Sequence, residues 1–200
     1  MTLHLNKPAL RALGIAESFR QSSPSSVLAG VVMRADLRVD GMAYAHAKVG
    51  GDDATEAVKS LYHQLDRADI NVLLLGGAVL SWFNIVDLQE VWQGIGKPLF
   101  CLTYEDSPGL EKYIREYFIS PEEKVRRYQR LGARQQVHLK TGYDVYLRVF
   151  GASIDEARIL LNKFTRDGRV PEPLRLAGLA ARAANRDEND PTKMNRRRKQ

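Results

Sequence analysis

The chain has 200 residues, with 30 lysines and arginines against 24 aspartates and glutamates, a formal charge of +6 and 44% hydrophobic residues. That composition excludes disordered, collagen-like and coiled-coil classes, and the length suffices for one substantial core. No apolar run approaches the ~20 residues of a membrane-spanning helix, residues 1–7 hold no apolar signal segment, and the single Cys101 excludes an intramolecular disulfide or a multi-cysteine zinc site, so a cytoplasmic protein without a membrane partner is expected.

Residues 11–16 read as a buried strand, 21–26 as a loop and 27–35 as a second strand. Asp40-Gly41 is a turn signal between 37–39 and 42–49, and the latter alternates well enough for a half-exposed strand. Gly50-Gly51-Asp52 breaks the pattern. Asp53-Ala54-Thr55-Glu56 has capping-box spacing, and Ala54, Ala57, Val58, Leu61 and Leu65 recur at helical spacing, which predicts a helix over 53–67. A buried strand at 71–75 ends at Gly76-Gly77. Asn84 and Asp87 open a helix that runs through Trp92 and stops near 94–96, and a further strand covers 98–104.

The order over 10–104 is therefore β-β-β-α-β-α-β: three antiparallel strands, then strand–helix–strand units that extend the sheet by right-handed crossovers. This mixed α/β order is found in ribonuclease H-like folds. Helices are predicted at 107–118 and 121–132, a strand near 143–150, a helix at 153–165 with its own capping box (Ser153, Glu156), and a last helix at 173–184. Residues 1–185 form one domain on this reading, and 186–200 a flexible basic tail.

The basic character, with a sequence pI near 9.5, is concentrated at one end. Residues 193–200 hold five cations (Lys193, Arg196, Arg197, Arg198 and Lys199) and no anion, which leaves 25 cations against 24 anions over 1–192. Such a segment is either a phosphate-seeking arm that gains affinity by releasing counterions or a solvated terminus. The stretch 121–134 has five cations and two anions. Pro121, Glu122 and Glu123 at its start and Arg126, Arg127 and Arg130 at its end suit a helix dipole without invoking function. Arg127 and Arg130 remain candidate phosphate contacts.

Four motifs occur in one order: Leu10-Arg11-Ala12-Leu13-Gly14-Ile15, Asp53-Ala54-Thr55, Phe83-Asn84-Ile85-Val86-Asp87 and Pro171-Glu172-Pro173-Leu174-Arg175. Together they resemble the largely archaeal endonuclease dU family, which is similar in fold to endonuclease V. The resemblance runs from about residue 9 to 184. It implies a ribonuclease H-like sheet and metal-dependent cleavage of a DNA or RNA backbone near a deaminated base (uracil or inosine), with Mg²⁺ or Mn²⁺ as cofactor. Two divalent ions about 4 Å apart repel each other, and converging carboxylates must offset that.

The sequence departs from the family where those acids belong. An acidic pair after Gly14-Ile15 is reduced to Ala16-Glu17. Gly50 stands where another Asp is usual, and Gly76-Gly77 replaces Asp-Gly. Ala78-Val79-Leu80-Ser81-Trp82 replaces a Thr- and Gly-rich loop, and Gly178 stands in place of a His.

The remaining candidate catalytic acids are Glu17, Asp52, Asp53 and Asp87, and no metal ligands are assigned. Asp53 is also explained as an N-cap, Asp87 as a first-turn acid and Glu17 as a loop residue. His4, His46, His63 and His138 lack a second ligand at metal-binding spacing. Trp82 either stacks on an unpaired base or covers the core. Candidate nucleic-acid contacts are Trp82, Asn84, Arg127, Arg130, Arg175 and the tail cations. The favoured expectation is a DNA- or RNA-binding protein, impaired in catalysis. An active Mg²⁺-dependent endonuclease and an adaptor within a ribonucleoprotein are the alternatives.

Overall fold

The computed structural model describes residues 5, 7 and 9–188. Seven strands form one sheet in the order β3-β2-β1-β4-β7-β9-β8. Strands β1 (Arg11–Ser18), β2 (Ser25–Arg34) and β3 (Val39–Lys48) are the antiparallel meander. Strands β4 (Val72–Gly76) and β7 (Leu99–Thr103) then add in parallel, and β9 (Asp144–Phe150) and β8 (Gln135–His138) close the far edge antiparallel. Strands β5 (Val79–Leu80) and β6 (Asn84–Ile85) make a separate small hairpin.

The central strands are covered on both faces, which is why Val72 to Leu75 and Leu99 to Leu102 are continuous apolar runs rather than alternating ones. Period-two alternation sends Leu13, Ile15, Leu73, Leu75, Leu99 and Cys101 to one face. There they meet α1 (Ala54–Leu65), α2 (Leu88–Ile95), α3 (Glu111–Tyr117) and α4 (Glu122–Arg130). Ala12, Val72, Leu74, Phe100 and Leu102 face the other way, toward α5 (Ile154–Phe164) and α6 (Glu172–Glu188). Burial pushes the Cys101 thiol up to about 12, so it behaves as a core residue.

Several expectations need correction. Asp40 and Gly41 lie inside β3, and the chain turns earlier, at Leu37, whose φ is 65° and whose N–H donates to the Arg34 carbonyl. Asp53 stands at the N-cap position of α1 without a side-chain cap bond. The first expected helix after β7 begins at Glu111 rather than 107, since Pro108 and Gly109 (φ 109°) intervene. Strand β8 was not expected, because only Val137 of its four residues is buried. Helix α6 runs to Glu188, so residues 186–188 continue the fold instead of starting a tail. Lys193, Arg196, Arg197, Arg198 and Lys199 lie outside the described residues.

Candidate functional site

The site forms where the parallel strands β1 and β4 end beneath α6. Ile15 pairs with Leu75, so the next residues, Ala16 and Gly76, are neighbours across the ladder. Gly14 lets α6 come down onto β1. A Cβ there would lie 2.4 Å from the carbonyl carbon of Pro173, a distance real atoms do not adopt. A Cβ built on Gly76 or on Gly178 would stand 3.9 Å from the Ala16 methyl. Three of the four positions where a family acid or histidine is missing, Ala16, Gly76 and Gly178, thus share one point, while the fourth, Gly50, lies against Trp82. What remains is a cleft of about 360 Å³, bordered by Glu17, Tyr104, Arg175 and Arg182.

The four surviving acids are held apart. Glu17 follows Ala16 on β1, so its side chain leaves the strand on the other side, but at the strand's end it still borders the cleft. Both its oxygens accept from the Ser81 amide at 3.0 Å. Asp52 is exposed, and its Oδ1 accepts from Lys124 at 2.8 Å and from Arg127 at 2.7 Å. Asp53 accepts from the Lys48 amide at 3.1 and 3.2 Å and from Asn84 Nδ2 at 2.7 Å. Asp87 is the N-cap of α2 and accepts from the Glu90 amide at 3.0 Å. Among the described residues no three His, Cys, Asp or Glu side chains meet as a metal-holding group. The donor set does not fit a pair of divalent cations, which needs several anionic oxygens turned to a common point.

Asn84 is placed differently from the sequence expectation of a nucleic-acid contact. It is fully buried, its Oδ1 accepts from the Ala54 amide at 3.0 Å, and its Nδ2 donates to the Lys48 carbonyl as well as to Asp53. It ties β3, α1 and the small hairpin together and takes over the capping that Asp53 was expected to supply. Arg127 also donates to the Ile85 carbonyl at 3.3 Å. Arg130 borders a second, smaller cleft of about 250 Å³ beside Asp87 and Glu90. Arg175 forks onto Glu172, one turn before it.

Trp82 and Phe83 both adopt left-handed backbone, with φ of 52° and 65°. For bulky residues each costs roughly 1–2 kcal/mol. The turn carries Trp82 to 5.1 Å from the ring of Tyr117, which is 53% exposed. Trp82 itself is half-buried. Tyr117 and Arg182 were both missed in the sequence. For Arg182 the signal was present, since it follows Arg175 and Gly178 at helical spacing on a helix already expected.

A sheet with this strand order and these directions, helices on both faces and a site at the ends of its first and fourth strands, is ribonuclease H-like and of the endonuclease V kind. The profile of the endonuclease dU family matches residues 8–185. The chain belongs to that family. It is 36% identical over 170 residues to a UPF0215 protein of Pyrobaculum calidifontis, covering 84% of this chain and 93% of that one. Among solved structures, a protein of unknown function from Archaeoglobus fulgidus is similar with a TM-score of 0.75 and 26% identity, covering 88% of this chain and 98% of the other. The Ciona intestinalis endonuclease V, solved with DNA containing an inosine followed by a ribo-adenosine, is similar in fold with a TM-score of 0.60 and 13% identity, covering 90% and 87%. Among the described residues no helix is long and apolar enough to cross a membrane.

Proposed function

We propose that the protein binds nucleic acid on an endonuclease dU/V-like scaffold and is impaired in strand cleavage. The observation that carries this reading is the separation of Glu17, Asp52, Asp53 and Asp87, each engaged with a different partner. Metal sites tolerate little misplacement, so acids held this way leave a phosphate without its cations. Support for the ligand comes from the fold relatives, from the Trp82–Tyr117 pair as a surface on which a base can stack, and from the basic residues 193–199.

The test is incubation of the full chain with uracil- and inosine-containing strands in Mg²⁺ and in Mn²⁺. The expected result is a mobility shift without a cleavage product. The second reading, an active endonuclease, is favoured by family membership. It would be established by cutting that disappears in Glu17→Gln.

A further inference from the structure

The cleft beneath α6 is bordered by two arginines, Arg175 and Arg182, and by one carboxylate, Glu17. Three of its bordering residues, Ala16, Gly76 and Gly178, present nothing beyond a methyl group. Arg175, Gly178 and Arg182 fall at i, i+3 and i+7 on one face of α6. Arg182 makes no hydrogen bond or ion pair among the described residues. Its Nη1 lies 3.4 Å from where a Cβ on Gly178 would stand, so the guanidinium lies across the bare glycine beside the opening.

Arg175 commits Nε and Nη2 to Glu172, which orients its guanidinium and leaves Nη1 for another acceptor. Tyr104 borders the cleft from the end of β7. Burial pushes its phenol up, so it keeps its proton and stays a donor at neutral pH. Glu17, the one carboxylate on the rim, is turned to the Ser81 amide.

The cleft thus offers two guanidinium groups and a phenol, with its one carboxylate engaged elsewhere. Guanidinium forks match tetrahedral oxyanions, and hydrogen bonds between charged partners are about twice as strong as neutral ones. We infer that this cleft holds a phosphate group directly, through Arg182, Arg175 and Tyr104, with no divalent cation between protein and phosphate. On the reading proposed above, which the inference deepens, the group is a backbone phosphate of a nucleic-acid strand. The arginines stand in for the cations that a carboxylate site would have recruited.

The test uses the full chain in EDTA, with fluorescently labelled single-stranded DNA and RNA oligonucleotides titrated across a salt series. Inorganic phosphate is titrated separately by calorimetry. Arg182→Ala is expected to weaken oligonucleotide binding about ten-fold and to reduce the salt slope by about one. Arg182→Lys should recover much of the loss, since the charge returns without the fork. Gly178→Asp keeps both arginines and has room, its nearest neighbour being the flexible end of Arg182 at 3.4 Å. By placing a carboxylate against that guanidinium it should weaken binding at least as much.

Replacing EDTA by Mg²⁺ at constant ionic strength should change nothing. Wild-type affinity in both Arg182→Ala and Gly178→Asp would overturn the inference, as would binding that requires Mg²⁺. Binding of inorganic phosphate that Arg182→Ala abolishes, with no oligonucleotide bound, would support the cleft as a phosphate site and sink the nucleic-acid reading.

Discussion

The two ends of β1 solve the problem of charge in opposite ways. At its start, Arg11 sits among Asp40, Asp69 and Arg67. Every group there is paired, and Arg67 reaches Asp69 at 2.8 Å and Asp40 at 3.1 Å while also bonding the Asp40 carbonyl. At its end, Ala16 faces a cleft shaped by missing side chains, with Arg182 on its rim and without an ion pair among the described residues. The first end is held by complementary charge and has none to offer a ligand. The second is held by backbone packing at Gly14 and leaves charge unspent. The paired end and the open end thus lie on one eight-residue strand.

The largest expected effect comes from breaking the packed end. Gly14→Ala forces a methyl group into the backbone of Pro173, and neither a strand nor a helix start can move aside cheaply. A loss of about 3 kcal/mol is expected, the upper part of the range for overpacking. Thermal unfolding followed by circular dichroism measures it. The same variant should weaken phosphate binding by lifting α6 from β1, whereas Asp40→Asn should leave binding unchanged.

Next in size is Asn84→Ala. It removes one acceptor and two donated bonds from a buried position and leaves Asp53 and the Ala54 amide short of partners. A cost of about 2 kcal/mol follows from leaving buried polar groups unsatisfied. If chemical denaturation finds this variant as stable as the wild type, Asn84 is not the tie between β3, α1 and the hairpin.

Much of the sheet was legible because β1, β2, β4 and β7 carry apolar runs that only a covered strand can use. The edges were less so. Strand β8 has a single buried residue, and the turn before β3 rests on a left-handed leucine that no turn signal marks. At the site, two missing acids and a missing histidine could be read directly from Ala16, Gly76 and Gly178. Their convergence could not, because it depends on β1 and β4 being parallel neighbours and on how close Gly14 lets α6 come. Asn84 and Asp53 were misassigned for a related reason. A residue at a cap position in sequence can surrender the cap to a side chain 31 positions away.

The charged end of β1 has a signature at acid pH. The Arg11 guanidinium holds the Asp40 carboxyl below its ordinary value of 3.8, and the Arg67 guanidinium does the same for Asp69. Both groups bind their proton more weakly folded than unfolded. The stabilisation is therefore complete above the unfolded value and is withdrawn as pH falls below it, through the lower folded values. Melting temperatures measured between about pH 2 and 7 should fall at the acid end in the wild type. Asp40→Asn should show a lower plateau near neutrality and a shallower decline. Equal slopes would mean that the four charges at this end add little.

The smallest effect concerns a single hydroxyl beside the cleft. Ser81 is fully buried, and its Oγ has no hydrogen-bond partner among the described residues, while its amide serves Glu17. A buried hydroxyl without a partner is a desolvation cost carried by the fold. Ser81→Ala removes that cost, keeps the amide and loses only one small atom from the packing. Stability should be unchanged or higher by up to about 1 kcal/mol, with phosphate binding unaltered because Glu17 stays turned to the same amide. A clear loss of stability would mean that the hydroxyl works with a partner at the base of the Trp82 turn. The strain in Trp82 and Phe83 would then be held in place from below rather than by the ring contact with Tyr117.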